Sequence, residues 1–223
     1  MARVLLIGSG PLPTSNPQRL GFSQLRTWPF LQALRRGGHE VHLVLLGEES
    51  GNDGVLHLSM QGGEWLELLT RKREELAPDV VVSAGPYHPA RAAALTVGEE
   101  PLWVDVPGDP FAEAQAKCAH KGESGAAQEM LAAYAPALQR ADSLSAISPA
   151  QRHALVGQLG VLGRLVDAPL DHPWVHSLPA VVDFGDLPWG AARSRQPEEE
   201  LVVALSGGYN TWLDGDTLLE GLH

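Results

Sequence analysis

The chain has 223 residues, 44% hydrophobic and 19% charged, which suits one large α/β domain or one domain plus a fragment. Sixteen Lys and Arg against 27 Asp and Glu give a formal net charge of −11. That balance excludes general affinity for a nucleic-acid backbone, which needs clustered cations, but not a small anion held by helix N-termini and a few Arg.

Cys118 is the only cysteine, so neither an intrachain disulfide nor a Cys-rich metal cluster is expected, and a reducing compartment fits. The apolar run at the N-terminus, Val4-Leu-Leu-Ile7, is too short for a signal peptide before Gly8, Gly10, Pro11 and Pro13 interrupt it. No run approaches the roughly 18 apolar residues of a membrane span. A soluble, cytoplasmic protein is expected.

Val4-Leu-Leu-Ile7 instead reads as a strand buried on both faces of a parallel sheet. Residues 9–21, rich in Gly, Pro, Ser and Asn, read as a long loop. Trp28, Leu31 and Leu34 recur at helical spacing, which predicts a helix over 28–36 that Gly37-Gly38 stops. The next strand is 39–46, completing a βαβ unit. The pattern repeats with a short strand at 55–58, a helix at 64–75, a strand at 79–83 and a helix from about 89 to 97. A strand at 101–105 follows, then alanine-rich helix over 111–140, broken near 122–125. Ser143 to Ile147 is a strand, and Ser148-Pro149 opens a helix running towards Gly160. Residues 176–182 are expected to be the last strand.

The expected fold is therefore α/β, a Rossmann-like parallel sheet with helices on both faces, over 1–183. Residues 184–200 carry Pro, Gly, Arg and three consecutive Glu and read as a linker. Leu201-Val-Val-Ala-Leu205 starts a new strand, then Ser206-Gly-Gly-Tyr-Asn-Thr211 and a helix from about Leu213. One strand and one helix cannot bury their own apolar faces. Residues 201–223 are thus expected to be a truncated second domain, or a unit packed on the first domain or on a neighbouring copy.

Chemistry is expected where the strands end, because open α/β sheets bind ligands at their carboxyl edge. Gly8-Ser9-Gly10 offers two glycines of the dinucleotide fingerprint, but Pro13 stands at the third position and no acid closes the second strand. The pair either caps a strand or shapes a loop over the cleft. Gly21, Arg26 and Thr27, at the start of the first helix, suit a phosphate or sugar hydroxyl; alternatively, Arg26 is simply solvated. His88, after the strand at 79–83, is a candidate general acid or base, or else a packing histidine. Asp105, Asp109 and Glu113 place several acceptors at one edge, to orient hydroxyls or take a proton, although Asp109 also fits a plain N-cap. Asp171, His172 and His176 lie close in sequence, but Pro173 breaks any helix that would align them, so no metal site is expected.

The order of motifs resembles the GT-B glycosyltransferases of the family-4 type. It is carried by Arg35-Arg-Gly-Gly-His-Glu-Val41, Pro78-Asp-Val-Val-Val82, Arg140-Ala-Asp142 leading to Ile147-Ser148, His176-Ser-Leu-Pro-Ala-Val-Val-Asp183 and Ser206-Gly-Gly-Tyr-Asn-Thr-Trp-Leu-Asp214. The resemblance implies transfer of a sugar from a nucleotide-sugar donor to a sugar or lipid-linked acceptor in a cleft between two domains, with 1–183 the acceptor-side domain and 201–223 the start of a truncated nucleotide-sugar-binding domain. It implies a retaining outcome and no metal or other cofactor, with peripheral membrane contact allowed. Gly207, Gly208, Asn210 and Thr211 would approach the donor phosphates, with Gly21 opposite. Family members often carry a His after a middle strand of the first domain; this chain has 105–109 there, and His88 one strand earlier. Two other expectations compete: a non-catalytic Rossmann-like binding or interaction domain, and a nicotinamide-dependent oxidoreductase.

Overall fold

The computed structural model describes residues 1–13, 21–47, 55–122, 125–166, 169, 171–180 and 215–221. The chain forms two compact units, Met1–Val181 and Val182–His223. The first is built on seven parallel strands: β1 (Arg3–Ser9), β2 (Glu40–Leu46), β3 (Leu56–Leu58), β4 (Val80–Ala84), β5 (Leu102–Val106), β6 (Ser143–Ala146) and β7 (Val175–Ser177). Their order is β3-β2-β1-β4-β5-β6-β7. Helices α1 (Phe22–Arg36), α2 (Glu64–Leu76), α3 (His88–Thr96), α4 (Pro110–Lys121), α5 (Ala126–Arg140) and α6 (Pro149–Val161) connect them. This is the Rossmann-like α/β architecture expected from the alternation of apolar runs and helical patterns.

The strands are largely apolar because both faces are covered, with Ser83, Asp105 and Ser145 as buried polar exceptions. Successive residues feed two separate cores. Leu5, Ile7, Val44, Leu46, Val81, Leu102 and Val104 join Trp65 and Leu69 of α2, the alanines of α3, and Tyr134 and Leu138 of α5. Val4, Leu6, Leu43, Leu45 and Val82 face the other way, against Phe30 and Leu31 of α1. The period-2 alternation of a strand thus sorts the chain into one face covered by α2, α3, α5 and α6 and another covered by α1.

Three boundaries differ from the sequence expectation. α1 begins at Phe22, six residues before the first apolar repeat, and runs through Pro29. Its opening turn carries Phe22 and Leu25, both exposed, and is held by the hydrogen bonds of Gln24 and Thr27 to Gly10 and Ser9. α4 starts at Pro110, with Asp109 as its cap. β7 covers only Val175–Ser177, shorter than the strand expected over 176–182, and 178–180 leave the sheet. The linker at 184–200, the strand at 201–205 and the loop at 206–211 lie outside the described residues. In the second unit the described element is α7 (Gly215–Gly221), consistent with a helix near Leu213.

Candidate functional site

β1 is the branch point of the sheet. The chain leaves it through α1 towards β2 on one side, and β4 pairs with it on the other. Two connections therefore diverge at the carboxyl end of this strand pair and open a crevice between them.

The first connection is held tightly. A Cβ on Gly8 would lie 2.3 Å from Thr27 Cγ2 and 2.5 Å from its Oγ1, so glycine is required for α1 to approach β1 this closely. Thr27 Oγ1 accepts from the Ser9 N–H at 3.0 Å and donates to the Ser23 carbonyl at 2.9 Å. Gln24 completes the turn: its Oε1 accepts from Gly21 N–H at 3.0 Å, and its Nε2 donates to the Gly10 carbonyl at 2.9 Å. Gly21, as N-cap, has no side chain to offer the first turn of α1, and that turn carries no acid.

The second connection runs from Ala84 to α3. Ser83 Oγ donates to the Gly85 carbonyl at 2.9 Å. Tyr87 is the N-cap of α3 but makes no capping bond, and the first turn again has no acid. By contrast, Asp109 caps α4, its Oδ1 accepting from Phe111 N–H at 3.1 Å and Ala112 N–H at 3.2 Å. Ser148 caps α6. Among the described residues the two helices that begin at the branch point thus have no side-chain N-cap bond, and their positive dipole ends favour an anion there, with Pro89 removing one N–H from the first turn of α3.

Beside the crevice, the Tyr87 phenol donates to Glu113, and the Lys117 ammonium lies over the Tyr87 ring, 5.8 Å from its centroid. Burial raises the Tyr87 pKa above its ordinary value, and the bond to Glu113 and the negative charges of Glu113 and Asp109 raise it further. Tyr134, fully buried on α5 against Phe111, is raised in the same direction, first by burial and then by Asp109 and Tyr87. Both phenols are held protonated; Tyr87 donates to Glu113, whereas the buried Tyr134 hydroxyl has no hydrogen-bond partner among the described residues. Gly108, at φ +91°, turns the chain between Asp105 and Asp109, and a Cβ there would meet Glu113 Oε1 at 2.5 Å.

On the opposite face of β5, the side covered by α1, a buried charge pair joins the elements. Arg26 Nε donates to Asp105 Oδ2 at 2.7 Å and Nη2 to Oδ1 at 2.9 Å; the two side chains are 4% and 0% exposed. Ser145 Oγ donates to Asp105 Oδ1 at 2.5 Å and accepts from Trp103 Nε1 at 3.1 Å. The parallel register sets Asp105 beside Ser145, and the two-residue period places Trp103 on the same face. Arg26 Nη2 and Nη1 also donate to the carbonyls of Leu178 and Pro179, at 2.9 and 3.0 Å. Its guanidinium lies 5.2 Å from the Phe30 ring, which packs on Trp103 at 5.1 Å.

The expected site residues therefore separate. Gly21 lies at the crevice, and His88, exposed, begins α3 beside it. Asp109 is the N-cap of α4. Arg26 and Asp105, expected at an open edge, are instead buried and engaged with one another, so neither presents its charge to a ligand. Gly207, Gly208, Asn210 and Thr211 lie outside the described residues. Ser145, Trp103 and Tyr134 were not singled out from sequence; the first two become visible once β5 and β6 are known to pair. Among the described residues no group of three or more His, Cys, Asp or Glu could hold a metal ion, and no helix is long and apolar enough to cross a membrane.

No family model and no curated protein matches the chain. Among solved structures it is similar to S. aureus MnaA in a co-structure with UDP, at TM-score 0.48 and 11% identity, covering 79% of this chain and 43% of that one. It is also similar to a protein described as a UDP-N-acetylglucosamine 2-epimerase from Listeria monocytogenes, at TM-score 0.48 and 14% identity, covering 71% of this chain and 43% of that one. The chain spans less than half the length of either.

Proposed function

We propose that Met1–Val181 binds a nucleotide sugar at the β1–β4 crevice and is the N-terminal half of a GT-B-type glycosyltransferase. The observation that carries this reading is that α1 and α3, the helices entered from the paired strands β1 and β4, both open without a side-chain cap among the described residues. N–H groups and dipole ends at the carboxyl edge of the sheet suit the negative charge of a diphosphate. Glu113 and the Tyr87 phenol form a neighbouring polar rim suited to neutral hydroxyls. In this reading the helix ends stabilise the departing diphosphate without a metal, and the sugar is transferred with retention, in a protein that includes the rest of the donor half. His88 is the candidate for a direct role at the acceptor, and Asp105 acts by fixing Arg26.

The test is calorimetric titration of the 223-residue protein with UDP, GDP, ADP and NADH. One nucleoside diphosphate is expected to bind and NADH is not; sugar transfer by this chain alone is not expected. Ser23→Glu adds an acid to the first turn of α1, which favours the helix but opposes an anion, so affinity should fall about tenfold without loss of stability. Unchanged affinity in this variant, or no nucleotide binding at all, would sink the reading. A second reading, a binding domain without catalysis, is favoured by the burial of Asp105 against Arg26. Sugar transfer by a protein that joins this chain to a donor half, if lost in His88→Ala, would exclude it.

A further inference from the structure

We propose that Arg26 is a latch that fixes where the chain leaves the sheet, and that can release this exit without unfolding the sheet. The exit residues His176 to Ala180 are exposed. Among the described residues three hydrogen bonds hold 178–180. One is the last rung of the ladder, Leu178 N–H to the Ala146 carbonyl at 2.6 Å. The other two come from Arg26, to the Leu178 and Pro179 carbonyls. A buried guanidinium thus reaches outwards to hold an exposed segment, an arrangement that core packing does not require.

The hand that holds the exit is itself held from behind. Asp105 takes two bonds from Arg26, and Ser145 orients the carboxylate. Only a planar, forked cation meets a carboxylate with two bonds and still donates to two carbonyls; a lysine ammonium is a point charge with three donors. Arg26 also lies within the turn that Gln24 and Thr27 fasten to Gly10 and Ser9. A displacement of α1's first turn therefore loosens the exit, whichever ligand causes it. The latch does not depend on the nucleotide reading.

Native-state amide exchange followed by NMR tests it. In Arg26→Lys the amide of Leu178 should exchange about tenfold faster than in the parent, while those of Leu5 and Val44 in the central strands stay within about twofold. Arg26→Gln should behave likewise, more strongly. If both Arg26 variants fail to fold, Ser145→Ala, which leaves the charges paired, should still speed Leu178 by about threefold. Exchange at Leu178 that is unchanged in a folded variant, or that rises only in step with Leu5 and Val44, would overturn the latch.

Discussion

The close approach of α1 to β1 gives a quantitative expectation for Gly8→Ala. The added methyl would sit 2.3 Å from Thr27 Cγ2, whereas carbon atoms rest at about 3.5–4.0 Å. Thr27 is fully buried and cannot swing into solvent, so the helix must move by more than an ångström or Thr27 must change rotamer. Overpacking of this kind costs about 1–3 kcal/mol. Either escape also breaks the Ser9–Thr27 hydrogen bond, worth about 0.5–1.5 kcal/mol. A destabilisation of about 2–4 kcal/mol is expected, measured by urea unfolding with tryptophan fluorescence. Thr27→Ala removes the two closest atoms and leaves Cβ at 3.0 Å. The double variant should then be scarcely less stable than Thr27→Ala alone, with a favourable coupling of about 1.5 kcal/mol or more. Strict additivity, or a Gly8→Ala protein within about 0.5 kcal/mol of the parent, would refute the reasoning.

Two further outcomes follow from the charge and phenol groups. Asp105→Asn leaves Arg26 charged, buried and unneutralised, which should cost about 3–5 kcal/mol in urea unfolding, whereas the paired Arg26→Met with Asp105→Leu should cost less than either single change. Tyr87 and Tyr134 hold their protons above the ordinary tyrosine pKa, so the unfolded chain ionises first as pH rises. Their contribution to stability is complete below about pH 10 and is lost as pH climbs towards the folded values. Absorbance at the tyrosinate band should accordingly show fewer of the three tyrosines ionised at pH 11 in the folded protein than in urea; superimposed titration curves would contradict the described burial.

The parallel sheet was legible because its signal is local: Val4 to Ile7 and Val80 to Val82 are continuous apolar runs that only a strand buried on both sides accommodates. The carboxyl edge followed from that, and with it the neighbourhood of Gly21, His88 and Asp109. What sequence reasoning missed is non-local. The first turn of α1 carries Phe22 and Leu25 at helical spacing to Trp28, yet both stay exposed, and the turn is fixed by Gln24, Arg26 and Thr27 reaching partners in other elements. Arg26 looked like an exposed cation because its carboxylate stands 79 residues away. Asp105 looked like an open acceptor for the same reason. Asp109 allowed two interpretations, and its bonds to Phe111 and Ala112 establish the capping one.

The buried pair also indexes the sheet. Side chains of a strand alternate between faces, so sliding β5 by one residue would carry Asp105 from beside Arg26 into the layer that holds Val104, Leu144 and the alanines of α3 and α5. There a carboxylate would lose its cation in an apolar layer, at a penalty of several kcal/mol, while Arg26 would be stranded on the other side. A purely aliphatic β5 would carry no such mark, since valine and leucine are tolerated on either face. One aspartate thus makes the correct alignment of an otherwise uniform strand recognisable to the folding chain.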